Sequence, residues 1–328
     1  MASGTRFTPS LRGIVPLLAL AAVPLLFLLL NPAATLTLAD IRLVLLQSSI
    51  VSIAALGAAM VIATGGIDLS VGSCVAIAGV AAAWAIKPWA DVPGGPGFLP
   101  PLLAILAALA AGALAGITNG LLITLLRLPP FIATLGTLGF IRGVAKLFTS
   151  SGTIYSRPGW LTSWVAAQPS PSWLLVAPSV WLTLVLAILT GIFMSRTVIG
   201  RRALAIGDNQ EAAMRCGVPV QATKFTIYLL AGLLAALAGV VQFARLNGAG
   251  DPTIQGGLEL KAIAAVVIGG ASLSGGNISI FGTICGAVLM SLLDNRCAAA
   301  GLPNYAQEMI VGPIIITAVA MDRSRRDR

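Results

Sequence analysis

From Leu102 to Leu126 the chain runs through 25 residues without one charged side chain. As a helix, a run of that length spans about 37 Å, more than the ~30 Å hydrocarbon layer of a bilayer. Similar apolar runs recur at about 13–30, 41–63, 71–87, 131–149, 173–195, 224–244, 258–271, 279–296 and 307–321, which makes ten expected spans. Hydrophobic residues make up 57% of the chain and charged residues only 9%, with a mean hydropathy of +0.96. Soluble domains carry about 25% charge, so a chain this apolar must use lipid to cover its surface. The expected fold class is an all-α integral membrane protein, a polytopic bundle of about ten transmembrane helices (eight to ten). The range reflects 131–149 and 258–271, which read equally as re-entrant or interfacial because they carry Arg142, Lys146, Glu259 and Lys261. Several runs are short or interrupted by glycine, the pattern of helices that break inside protein rather than face lipid. Residues 13–30 can also be read as a signal peptide, but the run is long for one and further spans follow directly.

The net charge of +9 lies mostly in short loops and the C-terminal tail. Short basic loops stay on the cytoplasmic side, so this charge reports topology and calls for no nucleic-acid partner. With both termini cytoplasmic, Arg127, the island Ser195–Lys224 and the arginine-rich tail fall inside. The loops at 88–101 and 150–172 fall outside, and the tryptophans of the second suit a membrane interface. The whole chain, 1–328, reads as a single transmembrane domain, with 195–224 as a cytoplasmic loop and 150–172 as a periplasmic one.

That island constrains function most. Its centre reads as a short helix, with Asp208 or Asn209 as cap, Glu211 in the first turn, Ala212 and Ala213 favouring helix, and Gly217 at its end. A surface helix held between two spans can pass motion to a soluble partner, or it can be a solvated connector. Elsewhere, Asp68 lies between two apolar runs, where a carboxylate is costly unless it is paired or faces a cavity. It reads either as a cap for the following helix or, with Thr64, Ser70 and the backbone of Gly65 and Gly66, as a group that hydrogen-bonds a polar solute. Thr118, Asn119 and Thr124 interrupt one span, and Phe131, Thr134 and Thr137 share a face of the next. Amides, hydroxyls and an aromatic suit a sugar-like solute, and interhelical hydrogen bonds are the plainer alternative. The segments Gly65–Gly72 and Gly269–Gly276 agree at five of eight positions, a weak internal repeat of two glycine-interrupted stretches.

Several chemistries are set aside. The chain has no histidine, and its four cysteines (74, 216, 285 and 297) show no CxxC spacing, so no metal site, cofactor or structural disulfide is expected. No GxxxxGK[ST] motif occurs, and no Ser/His/Asp or Cys/His set points to covalent catalysis.

Four stretches in order, TGGIDLSVGS (64–73), NGLLITLLRLPPFIATLGT (119–137), GRRALAIGDNQEAAMRCGV (200–218) and LELKAIAAVVIGGASLSGG (258–276), resemble the permease subunit of bacterial ABC importers for monosaccharides. The resemblance covers about residues 40–322. It implies an inner-membrane permease, itself no enzyme, which pairs with a second permease copy or paralogue in membrane lipid. A separate cytoplasmic ATPase and a periplasmic sugar-binding protein complete such importers. It also implies that Gly207, Glu211, Ala212, Ala213 and Gly217 form the loop that docks on the ATPase. The substrate pathway is expected near Asp68, Ser70, Asn119, Phe131, Thr134 and Glu259. Lys261, where relatives often carry an acid, and Asn277–Ile280, which lacks a usual glycine, depart from the pattern near that pathway. Branched-chain amino-acid and nucleoside permeases are similar in style. An ion-coupled carrier using Asp68 and Glu259 is the alternative from another class, and a membrane scaffold without transport is a third.

Overall fold

The structure, a computed structural model, describes residues 37–89, 97–253 and 256–303 and a few positions between 307 and 320. The expected spans at 13–30 and, for the most part, 307–321 lie outside the described residues, as does the arginine-rich tail. Eleven helices are described: α1 (Leu38–Ala63), α2 (Val71–Ile86), α3 (Leu99–Thr124), α4 (Pro130–Thr149), α5 (Leu161–Trp164), α6 (Pro178–Arg196), α7 (Val198–Asp208), α8 (Gln210–Arg215), α9 (Val220–Arg245), α10 (Leu258–Ile268) and α11 (Ile280–Ala299). Seven of the described helices are long and apolar enough to cross a membrane: α1, α2 with its 3₁₀ extension to Trp89, α3, α4, α6, α9 and α11.

The boundaries follow local chemistry. Thr37 caps α1 in a reciprocal box with Asp40. Pro130 and Pro178 open α4 and α6 at the first helical position, where a missing N–H costs nothing. The run at 258–271 is not one span. α10 has 11 residues, about 16 Å of helix, and ends before the glycine-rich segment 269–279. The run at 131–149, by contrast, is a full 20-residue helix.

α1 and α9 form the centre, with 89% and 78% of their most apolar windows buried, against 28% for α4 and for α6. The outer helices present leucine, isoleucine and phenylalanine side chains such as Leu147, Phe140 and Ile188 outward, as lipid contact requires. α3 and α9 approach backbone to backbone. Gly112, Gly116 and Gly120, spaced by four on α3, lie against Gly232, Tyr228 and Phe225 of α9, and a Cβ on Gly116 would stand 2.6 Å from the Tyr228 carbonyl. Small residues at this spacing are how membrane helices pack without a hydrophobic driving force.

Alternating helix directions give the bundle two ends. One carries the connections 64–70, 125–129, 197–219 and 269–279, with Arg127, Arg201, Arg202 and Arg215 in its loops; it is called the basic end below. The other carries 87–98, 150–177 and 246–257. There Phe98 stacks on Trp160 at 5.7 Å, and the indole N–H donates to the Phe98 carbonyl at 3.2 Å. Among the described residues one feature departs from an all-helical chain, a two-residue antiparallel pair of Ile154–Tyr155 (β1) with Ala249–Gly250 (β2).

Candidate coupling and translocation site

The basic island folds as two helices where the sequence pattern pointed to one. α7 begins at Thr197, whose hydroxyl accepts from the Gly200 N–H at 3.1 Å, and buries Gly200, Ala203 and Ile206. α8 is the expected short helix. Asn209 is its cap, accepting from the Ala212 N–H at 2.9 Å, and Gly217 ends it with φ +78°. The Gly217 and Val218 N–H groups close the last turn onto Met214 and Ala213. Ala213 is buried with Ile206 and Val220, whereas Glu211, Ala212, Met214 and Arg215 are exposed. Glu211 pairs with Arg215 at 2.6 Å on that exposed face. Lys224 donates to Gln210 at 2.7 Å and ties α8 to α9.

Gly207, at the end of α7, lies on a backbone knot. A Cβ there would collide with the Ala63 carbonyl at the end of α1 and with the Gly276 N–H. Gly276 donates that N–H to the Ala63 carbonyl at 3.2 Å. A Cβ on Gly275 would stand 2.8 Å from both the Gly207 Cα and the Gly65 nitrogen. Gly65 and Gly275 have φ of +76° and +95°, conformations that favour glycine. The two stretches of the weak repeat therefore meet each other, and the island sits on both.

Beyond Gly65 the knot continues into a hydrogen-bonded chain. The Asp68 Oδ1 accepts from the Ser70 N–H at 2.8 Å and from its hydroxyl at 2.6 Å. Ser70 Oγ accepts from the Asn119 amide at 2.8 Å, and Asn119 Oδ1 accepts from Thr137 at 2.6 Å. The Thr134 hydroxyl accepts from the Leu69 N–H at 3.1 Å and lies 2.9 Å from the Pro130 carbonyl. Asp68 is thus not a side-chain cap of α2; it holds the residue before that helix, two positions on. Burial pushes its carboxyl above the ordinary carboxylate range, and the two bonds from Ser70 pull it back only in part. Tyr228 joins the cluster unforeseen. It is 1% exposed, its hydroxyl has no hydrogen-bond partner among the described residues, and a Cβ on Gly66 would stand 2.7 Å from that oxygen.

The structure thus brings Asp68, Ser70, Asn119 and Thr134 together, with Phe131 half-exposed in the first turn of α4 beside them. Glu259 is elsewhere. It begins α10 and lies 3.8 Å from Arg142, eight residues and about 12 Å along α4 from Thr134. Lys261 pairs with Asp294 at 2.6 Å. The four cysteines are free, and among the described residues no group of three or more His, Cys, Asp or Glu could hold a metal.

A bundle of apolar helices with two broken segments and a loop helix seated on the breaks defines a multi-pass membrane protein of the transporter kind. The chain belongs to the family described as branched-chain amino acid transport system / permease component, which matches residues 41–319. It is a transport subunit. It is similar to the ribose import permease protein of Bacillus subtilis, at 37% identity over 94% of this chain and 92% of that one. It is also similar to the autoinducer 2 import system permease protein of Klebsiella pneumoniae, at 38% over 93% and 84%. The L-arabinose ABC transporter permease protein of Azospirillum brasilense is 32% identical over 96% and 91%. No solved structure gives a significant match.

Proposed function

We propose that this chain is the membrane subunit of an ATP-driven, binding-protein-dependent importer of a monosaccharide in the bacterial inner membrane. The observation that carries this reading is similarity over nearly the full length of a permease named for ribose import and of an L-arabinose ABC transporter permease. Those names favour a sugar over a branched-chain amino acid, although the family's description carries the latter. Its partners in this reading are a cytoplasmic ATPase, a periplasmic sugar-binding protein and a second permease copy or paralogue. The basic end faces the cytoplasm.

The exposed face of α8, with Glu211 and Ala212, docks on the ATPase, and Gly217 fixes how that helix is presented. Motion of the ATPase would pass through α7 to Gly207. Because Gly207 touches the backbone at Ala63 and Gly276 with no side chain between, displacement of α7 must displace both broken segments. The chain from Asp68 through Ser70 and Asn119 to Thr137 would then be the inner gate. Its polar groups bond one another here, which is what a closed gate requires in an apolar surrounding. The transport cycle is rocking of these spans between outward- and inward-open states, with no covalent chemistry in this subunit.

The test is sugar uptake and ATP hydrolysis in proteoliposomes holding this chain with the ATPase and binding protein encoded beside it. The expected result is stimulation of both by the loaded binding protein. Uptake by this chain alone, driven by an ion gradient without ATP, would replace the importer with a carrier and return attention to Asp68.

A further inference from the structure

Glu259 and Lys261 belong to a second charged system, at the end of the bundle away from the knot. Among the described residues three ion pairs join one helix to another. Arg142–Glu259 at 3.8 Å joins α4 to α10, Lys261–Asp294 at 2.6 Å joins α10 to α11, and Arg296–Asp40 at 3.5 Å joins α11 to α1. The third pair moors α11 to the central helix, which leaves α10 as the element between two latches.

α10 is held differently at its two ends. Near the knot it is pinned by backbone: a Cβ on Gly269 would collide with Gly282, and one on Gly286 with the Ala265 carbonyl. Its first turn is not pinned in this way. Gly257, just ahead of it, has φ +84° and open space where a Cβ would stand. Leu258 and Lys261 border a cavity of about 730 Å³ among α1, α9, α10 and α11, which Asp294 and Asn295 line from the facing side. Glu259 and Lys261 are two positions apart and so point to opposite sides of the helix, one toward α4 and one toward α11.

The two latches are unequal. The Lys261 ammonium donates to Asp294 at 2.6 Å, a charge-assisted hydrogen bond. Arg142 and Glu259 attract at 3.8 Å without bonding, and Glu259 Oε2 is buried with no partner among the described residues. A buried carboxylate oxygen left unpaired is costly, so the α4 side is the unfinished one. Closing that gap to hydrogen-bond length takes about 1 Å, a tilt of about 6° for the ~9 Å of helix between Ala265 and Glu259. The same tilt draws the Lys261 ammonium off Asp294, so each bond forms at the expense of the other.

We infer that α10 is a two-position lever with Lys261–Asp294 and Glu259–Arg142 as alternate latches, the first closed here and the second closed in the other arm of the transport cycle. These four side chains are positioning residues. The inference deepens the transport reading and needs from it only that the spans rock. Gly269 leads from the lever into the segment that carries Gly275 and Gly276, so motion of the basic island would reach α10 through the knot.

The test uses the assembled importer in proteoliposomes, with cysteines 74, 216, 285 and 297 replaced and Asn295→Cys as a reporter on the cavity wall. A membrane-impermeant maleimide is applied from the side away from the basic loops. A lever released from α11 uncovers that wall, and one released from α4 covers it. Lys261→Met is expected to label at least about threefold faster, Glu259→Gln at least about threefold slower, and the two together within about twofold of the parent. Loss of a nearby cation by itself disfavours the thiolate and slows labelling, so a faster rate in Lys261→Met reports motion. In uptake, Lys261→Asp sets two acids against each other and should cut ATP-driven sugar import at least about tenfold, and adding Asp294→Lys should restore it to within about twofold. Labelling rates that move in the same direction or not at all, or an exchange that restores nothing, would overturn the latches, while import by the parent keeps the importer standing. If the parent imports no sugar, the importer reading falls and the labelling rates alone decide the latches. Should Lys261→Met or Glu259→Gln fail to insert, Lys261→Gln or Arg142→Gln carries the same expectation.

Discussion

The two ends of the bundle are built oppositely. At the basic end the segments 63–65, 207 and 275–276 touch through backbone atoms, and a single added Cβ on Gly207 would collide with two segments at once. At the other end the same central helix, α1, borders an open space of about 730 Å³ lined by amides and ion pairs. Glycine packs one end shut, and polar and apolar side chains together line the space at the other. In the importer reading the difference is one of slack: a displacement of the loop helix would be transmitted at the end where backbone touches backbone, and the other end has room to absorb it.

The largest effect that would sharpen this contrast is expected from Gly207→Val. A branched side chain cannot fit between Ala63 and Gly276, so uptake should fall to background. A lowered melting temperature should accompany the loss, because close-packed backbone must part to admit it. Second is Glu211→Arg combined with Gly217→Arg. Both positions are exposed, and the left-handed backbone at Gly217 should cost the double variant about 1–2 kcal/mol; it should still insert, while uptake and sugar-stimulated ATP hydrolysis are lost. Unchanged uptake would remove α8 from the coupling path.

A smaller effect is expected at Asp68. Asp68→Ala strands the Ser70 N–H and hydroxyl and should cost about 1–3 kcal/mol of stability, read as a fall in melting temperature. Asp68→Asn keeps an acceptor and should lose much less. Equal losses would mean that the charge, rather than the hydrogen bonds, matters there. Smallest is Arg215→Ala, which removes an exposed i,i+4 pair and should leave the melting temperature essentially unmoved.

Much of the basic end was legible in the sequence because its signals are local. The cap at Asn209, the stop at Gly217 and the glycine breaks at 65–66 and 269–270 depend on residues within a few positions of each other. The polar cluster was partly legible, since Asn119, Thr134 and Thr137 stand out in apolar runs. What joins these pieces was not. Gly207 meets Ala63 and Gly276 across more than 60 residues in each direction, and no local period encodes such a contact. The glycines at 112, 116 and 120 carried a readable signal of close packing, a small residue every fourth position. Tyr228 gave none, being one aromatic in an apolar helix. Glu259 looked like a companion of Asp68 only because both are acids in apolar surroundings. Helix length separates them, placing Glu259 beside Arg142 instead. α7 was hidden by its arginines, which read as loop although Gly200, Ala203 and Ile206 mark a buried helical face.

The central claim is that the chain is packed shut at its basic end and open at the other. The most direct measurement is cysteine labelling in a background with positions 74, 216, 285 and 297 replaced, using a membrane-impermeant maleimide applied to either side of the membrane. Asn295→Cys should react from the side opposite the basic loops, and Ser70→Cys from neither side. Reaction of Ser70→Cys from the basic side, with Asn295→Cys protected, would contradict the account.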